Sequence, residues 1–496
     1  MYLATAALLG ALACVRLGVD AQVPPATPQS TGFNSSFTLS HEQVQLAQLS
    51  ESVARSIEAI TNYDRSQLAF GGPLEDDFYT LPPLTNQAGP VAPGTLLKVQ
   101  PVTDPTSYVI PPNTALSRIL YTTTNLNGTV IPTSGFVLWP YQPRRFSGGS
   151  TRTNSSSPAP VVLWTHGASG TFPNNSPSSH RALWFGYAAP FALALDGYAV
   201  VAPDYAGLGI SKSWDGSDIP HEFLAGPAAA NDALYALCAA WDAFPGMLSS
   251  DFVVVGHSQG GGAAWAVSEA LEARPDEFPR QVRGHRGTVA GSPTTDVFAG
   301  LPEVVLPWVG MVLDKVFSDF RLESWLTPLG IARTKLLGEV QGGIGVTQQL
   351  YLSDGDVVKA DYNETSWHAA AYHRLASSGR KAFKGPMLVL QGTDDLYVRY
   401  ETTDSTVRDT CDSFPGAELE FLVLPGVAHV PALPATQPLW LRWIADRFEG
   451  RPVARDGCHR RKLKSFLPIE QYQVHGNSFP QWAGSPEYSY QVPLGP

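Results

Sequence analysis

The chain has 496 residues, 44% of them hydrophobic, which suffices for a sizeable core and exceeds the length of one ordinary domain. A core with an inserted cap occupies such a length as one compact unit. The formal charge of −11 excludes nucleic acid and an anionic membrane as default partners.

Leu3 to Val19 is apolar and runs into Val19-Asp20-Ala21, with small residues where signal peptidase cuts. Residues 1–21 are therefore predicted as the signal peptide of a secreted, extracellular protein. No later run is long and uncharged enough for a transmembrane segment. Sequons at Asn34, Asn127, Asn154, Asn174 and Asn363 agree with export and are the predicted glycosylation sites. Cleavage after Ala21 removes Cys14 and leaves Cys238, Cys411 and Cys458. Cys238 shares a helical face with Leu234, Leu237 and Trp241, which predicts a buried, inert thiol.

Residues 22–70 read as a leader and an N-terminal helix. Gln22 to Leu39 is rich in Pro, Ser and Thr. Ser40 and Gln43 then form a capping box, and Val44, Leu49, Val53, Ile57 and Ile60 trace an apolar stripe on one helix packed on the core. From residue 71 to 295 the pattern is that of a core. Arg118–Thr122 and Val130–Thr133 flank Asn127-Gly128, the signature of a tight hairpin. Val161–Trp164 is a buried strand ending in Thr165-His166-Gly167-Ala168. A second, Tyr198–Ala202, leads into a loop with Asp204, which is expected to brace that loop.

The stretch from Asp251 to Trp265 organises the rest. Phe252–Val255 reads as a strand buried on both faces, followed by Gly256-His257-Ser258-Gln259-Gly260 and an Ala-rich helix. Strand, tight turn and helix are the setting in which G-x-S-x-G becomes a nucleophile elbow, with small residues two places either side of a strained serine. A serine hydroxyl needs a base and a group to orient that base. Downstream, Pro386–Gly392 reads as a strand leading to Asp394 and Asp395, and Glu420–Leu424 as another leading to His429. The order Ser, acid, His suits the elbow. Asp395, three residues after Gly392, is preferred to Asp394 as the acid. His285, His368 and His373 are placed as structural or surface residues. The N–H of Gln259 and that of Ala168, with Gly167 as the alternative, are the expected oxyanion donors.

Residues 296–384 read as a helical cap inserted over the elbow. Its apolar Leu301–Leu313 run serves either as cap core or as a lipid-facing lid. Residues 385–458 return to the core and end in a helix at Leu439–Phe448. Residues 459–496 form a tail whose basic cluster, His459 to Lys464, reads as a solvated run.

The chain resembles the fungal secretory-lipase family (Candida antarctica lipase A-like) from about Glu75 to Cys458. The likeness rests on Asp76-Asp77-Phe78-Tyr79-Thr80 before Gly94-Thr95-Leu96, Tyr121-Thr122-Thr123, the elbow, the loop with Asp204, Cys411, His429, Trp443–Phe448 and Cys458. The resemblance implies an α/β-hydrolase fold, with a mostly parallel central sheet flanked by helices and an inserted helical cap. It also implies a Ser258-Asp395-His429 triad acting on carboxylic esters through an acyl-enzyme. In an oxidising compartment Cys411 pairs with Cys458, the closing disulfide of the resemblance. Three departures bear on substrate. His166-Gly167 stands where the family has an acidic residue, Gln259 where a smaller one is found, and Arg399 where proline is common.

The expected function is thus that of a lipase or carboxylesterase on a small-molecule or lipid ester, at a lipid–water interface for lipids. No metal and no organic cofactor are required. The alternatives are a peptidase or amidase on the same fold and a non-catalytic binding protein.

Overall fold

The structure is a computed structural model that describes residues 37–84, 91–146, 157–299, 303–363, 365–453 and 456–472. The predicted signal peptide, most of the leader, Asn34, Asn154, Leu301, Pro302 and the tail from residue 473 lie outside the described residues.

Among the described residues ten strands form one sheet. They are β1 (Leu96–Gln100), β2 (Ala115–Thr124), β3 (Val130–Trp139), β4 (Ala159–Thr165), β5 (Ala199–Pro203), β6 (Leu248–His257), β7 (His285–Gly291), β8 (Met387–Gly392), β9 (Leu419–Leu424) and β10 (Cys458–Lys462), in the order 1-2-3-5-4-6-7-8-9-10. β1, β2 and β3 pair antiparallel, as do β3 and β5, and every pairing from β5 through β10 is parallel. The strands ahead of the elbow, the acid and the histidine therefore run the same way, and their C-terminal ends open on one edge of the sheet. The predicted hairpin is the β2–β3 pair, with Thr124 opposite Val130.

The central strands are buried on both faces, which is why they read as continuous apolar runs. Alternation still sorts their side chains. Val162, Trp164, Val253 and Val255 enter one core, whereas Val161, Leu163, Phe252 and Val254 enter the other. The helices are α1 (His41–Leu46), α2 (Glu51–Ser66), α3 (Pro190–Leu195), α4 (Gly226–Ala243), α5 (Gln259–Ala273), α6 (Pro279–Gly284), α7 (Leu306–Val316), α8 (Pro328–Glu339), α9 (Ile344–Tyr351), α10 (Trp367–Ala376), α11 (Tyr400–Ser413) and α12 (Ala432–Phe448). α3 and α12 cover the first core, and α4 and α5 the second.

The insertion after β7 folds as α7 to α10 around its own apolar cluster, with Trp308, Val309, Leu313, Leu337, Val346, Leu350 and Tyr372 buried. Here the N-terminal stripe departs from expectation. It is two helices, because Gln48 takes φ 50° and Ser50 begins a new helix by accepting from the Val53 N–H. Ile57 and Ile60 pack into the cluster of the insertion, not onto the sheet. The capping box of Ser40 with Gln43 is present.

Other boundaries also move. α12 starts at Ala432, upstream of the expected Leu439, and carries Pro438 within it. Three prolines in eight residues read as breakers, yet burial of Leu433, Trp440 and Ile444 against the sheet holds the helix. The basic cluster at His459 is strand β10, parallel to β9, and not an irregular tail. Arg460 pairs with Asp404 at 2.5 Å and Arg461 with Glu420 at 3.3 Å. Charged side chains on an outer strand blunt its pairing with other chains.

Cys411, on α11, is bonded to Cys458, at the start of β10. The disulfide closes a span of 47 residues and ties the edge strand to a helix. Cys238 is free and half-buried rather than fully enclosed, and its sulfur accepts from Gln281 Nε2 at 2.9 Å. Among the described residues no helix is long and apolar enough to cross a membrane.

Candidate active site

β6 delivers the chain to a turn that only small neighbours permit. Ser258 takes φ 61° and ψ −125°, a region that costs a non-glycine residue about 1–3 kcal/mol. A Cβ on Gly256 would stand 2.0 Å from the Gly260 carbonyl oxygen, and one on Gly260 would stand 2.0 Å from that of Thr165. The Ser258 N–H donates to Gly291 O at 2.9 Å, which fastens the turn to β7. The strain is thus held by the sheet on both sides.

Asp395 and His429 meet from the ends of β8 and β9, where His429 Nδ1 donates to Asp395 Oδ2 at 2.7 Å. Asp395 Oδ2 also accepts from Gln391 Nε2 at 3.0 Å, and Oδ1 accepts from the N–H groups of Tyr397 and Val398 at 2.9 and 2.8 Å. Burial pushes the Asp395 carboxyl up, but the charge and hydrogen bond of His429 and the two N–H groups outweigh it and hold the group below its ordinary value. An anionic Asp395 fixes the Nδ1–H tautomer and leaves the Nε2 lone pair of His429 for a proton. Asp394 is exposed, and among the described residues its carboxyl accepts from Thr393 Oγ1 at 3.1 Å. It does not reach His429.

Ser258 and His429 line one cavity, although no hydrogen bond joins their side chains among those of the described residues. Such contacts are often long before substrate binds. The cavity holds about 80 Å³ and also takes in Ala168, Gln259, Phe223, Val304, Trp308, Ile344 and Val430. Gln259 is the first residue of α5, so its N–H has no partner within the helix. Ala168 lines the cavity and Gly167 does not. Gly167 is instead hemmed in, since a Cβ there would lie 3.1 Å from the Phe185 ring and 3.3 Å from His257 O.

His166 is fully buried beside this loop, with Nδ1 2.7 Å from Gly167 O and Nε2 3.1 Å from Asp204 O. Burial pulls its pKa down to about 4. Asp204 braces its loop as expected, accepting from the Ser178 N–H at 2.7 Å, from Ser134 Oγ at 2.5 Å and from Ser178 Oγ. His285 is buried with Nε2 3.0 Å from Thr288 Oγ1, and His368 and His373, both on α10, pair with Asp319 and Asp296.

Several residues around the site carried no local signal in the sequence. His257 Nε2 donates to His429 O at 3.1 Å, and the two rings stand 4.6 Å apart. Its place inside the elbow was the one clue available. Tyr397 lies 5.4 Å from the His429 ring, and its hydroxyl accepts from Gln348 Nε2 on α9 at 3.2 Å. Acid loop and insertion therefore touch. His221 contacts Gln259 from a loop with no motif. Of the sequons, Asn127 and Asn363 are exposed, whereas Asn174 is half-buried with its Oδ1 enclosed.

Comparison with known proteins bears on the fold that carries this site. The model of the alpha/beta hydrolase family matches residues 161–441. No curated protein matches the sequence. Among solved structures, Candida antarctica lipase A in its closed state is 19% identical with a TM-score of 0.58, covering 77% of this chain and 88% of its own. The rice cell wall degrading esterase LipA from Xanthomonas oryzae is 16% identical with a TM-score of 0.51, covering 72% and 98%. A putative hydrolase from Legionella pneumophila is 17% identical with a TM-score of 0.50, covering 71% and 92%. At these identities the likeness speaks for the fold.

Proposed function

The chain belongs to the alpha/beta hydrolase family, and from that premise we propose that it is a secreted serine hydrolase of carboxylic esters. The observation that carries the reading is the 2.7 Å Asp395–His429 hydrogen bond beside a cavity that Ser258 also lines, with Ser258 held in a strained turn. Ser258 Oγ attacks the ester carbonyl while His429 Nε2 takes its proton. The N–H groups of Gln259 and Ala168 hold the oxyanion. His429 returns the proton to the departing alcohol, and water then releases the acid from the acyl-enzyme. Two similar folds carry the names lipase and esterase, which supports ester chemistry over other uses of this scaffold.

The cavity supports an aliphatic acyl group. Its walls come from both parts of the chain, with Phe223, Leu224 and Val430 on one side and Val304, Trp308 and Ile344 from the insertion on the other. Trp308 both lines the cavity and sits with Val309, Val312 and Leu313 of the same helix in the cluster of the insertion, so α7 is cap core and cavity wall at once. Each buried methylene gives about 0.8 kcal/mol. The apolar lining gives each added methylene a surface to pack on, so the preferred acyl length is read from an ester series. Export is proposed with the activity, supported by the apolar N-terminus, the disulfide and two exposed sequons.

The test is turnover of p-nitrophenyl esters of graded length beside a p-nitroanilide. Ser258→Ala should lower kcat on the esters by a factor on the order of 10⁶ with the fold intact. Retained turnover would place the nucleophile elsewhere, and faster anilide than ester cleavage would replace the esterase by an amidase.

A further inference from the structure

Resting on that reading, we infer that His221 is a positioning residue for the oxyanion hole, acting through the side chain of Gln259. His221 and Gln259 are both buried, at 6% and 4% exposure, and their Nε2 atoms lie 3.0 Å apart. The direction of the bond follows from the other end of the ring. His221 Nδ1 is 3.1 Å from Ala206 O, a carbonyl oxygen that can only accept, so Nδ1 carries the proton. Nε2 of a neutral ring is then an acceptor, and Gln259 must present its NH₂. Burial pulls the His221 pKa down to about 3, which favours this neutral form of the ring. Gln259 Oε1 is enclosed with no hydrogen-bond partner among the described residues, so the bond to His221 sets the orientation of the amide.

The ring is itself held. Tyr205 stacks on His221 with centroids 5.9 Å apart and planes at 17°, and on His166 with centroids 4.2 Å apart at 30°. Tyr205 Oη donates to His166 O at 3.1 Å, and Tyr205 keeps φ 67°, a conformation a bulky residue holds only under constraint. The Ala206 N–H donates to Asp232 Oδ2 at 2.9 Å, which fastens the carbonyl that orients His221. His166 Nδ1 lies 2.7 Å from Gly167 O, the carbonyl of the peptide whose N–H belongs to Ala168. Three stacked rings thus connect the two donors, with Gln259 at one end and the Gly167–Ala168 peptide at the other. Of the three ring-bearing residues none lines the substrate cavity. An oxyanion hole works only if its donors are fixed before charge develops, and a displaced donor loses much of its effect. A Gln at position 259 brings a long side chain to the first residue of α5, and the His221 acceptor keeps that side chain from turning the donor peptide.

The experiment compares wild type with His221→Phe, which retains a ring in the stack but removes the acceptor. The readouts are kcat and KM on p-nitrophenyl butyrate, and the inhibition constant of an alkyl trifluoromethyl ketone, whose adduct with the serine carries an oxyanion. The expected result is a loss of about 10-fold in kcat with KM nearly unchanged, and a similar weakening of the ketone. His221→Gln, which restores an acceptor, should recover most of both. Gln259→Met removes the same bond from the other side, so its losses should match, and the double variant should lose no more than either single one. Unchanged ketone inhibition in His221→Phe or in Gln259→Met overturns the inference, as does multiplication of the two losses. If His221→Phe does not fold, Gln259→Met and His221→Gln decide between the same outcomes. Retained activity in Ser258→Ala would instead overturn the proposed function, so the two failures are distinguishable.

Discussion

Asp204 and Asp395 both follow the C-terminal end of a strand in the same sheet, both are nearly free of solvent, and their surroundings make opposite things of them. Asp204 is ringed by Ser134 Oγ, Ser178 Oγ and the Ser178 N–H, and among the described residues no imidazole hydrogen-bonds its carboxylate. Burial outweighs those donors and pushes its carboxyl up to about 6. Asp395 has an imidazole at 2.7 Å, two N–H groups and Gln391, and its carboxyl is held down despite burial. The lesson is that the partner of a buried acid at a strand end, and not its address, decides which way its carboxyl pKa moves. Hydroxyl donors make a brace, and a titratable ring makes an orienting anion.

The largest expected effect that sharpens the comparison is on turnover. Asp395→Asn should lower kcat by about 10⁴, because the amide favours the wrong tautomer of His429 while the geometry survives. Asp204→Asn should keep kcat within roughly 10-fold and lower stability instead, by about 1–3 kcal/mol, as its hydroxyl donors lose an acceptor. Steady-state kinetics with urea unfolding of both variants checks the pair, and a reversed order would break the comparison.

The second expectation is the sign of the pH dependence. The folded pKa of Asp204 is raised from its ordinary 3.8 to about 6, so its stabilising share is full below about pH 4 and is lost as the pH rises through 6. The change is on the order of 3 kcal/mol at about 1.4 kcal/mol per unit. Asp395 is depressed, so its share is present above the ordinary carboxylate value and is lost as the pH falls. Plotted against pH, the stability difference between wild type and each Asn variant should slope in opposite directions. Parallel slopes would show that the two environments are not distinct.

Smaller effects belong to the cavity and the neighbouring acid. Trp308→Ala opens the cavity wall and removes an edge-to-face contact with Phe223, whose ring centroid lies 5.0 Å away. It should cost about 3–5 kcal/mol of stability and shift the preferred acyl length upward, read from a p-nitrophenyl ester series. Asp394→Asn should change kcat less than about threefold, because the carboxyl is exposed and its hydrogen bond is to Thr393 rather than to His429.

What the sequence determined by itself was local. The elbow was legible because its steric demand falls on Gly256 and Gly260, two residues either side of Ser258. The buried strands, the β2–β3 hairpin and the Ser40 capping box were legible because a few adjacent residues carry the cause. The ordering of Ser258, Asp395 and His429 at strand ends was legible through the alternation of parallel strands with helices. Tertiary structure alone decided the contacts between residues far apart in the chain. It chose Asp395 over Asp394 at His429, seated α2 on the insertion, and laid a run of basic residues along β9 as β10. It also brought His221 to Gln259 across 38 residues and His257 to the His429 carbonyl across 172. A turn or a cap is favoured by the covalent geometry of neighbours, whereas a buried hydrogen bond between distant loops is worth making only once the sheet has excluded water from both.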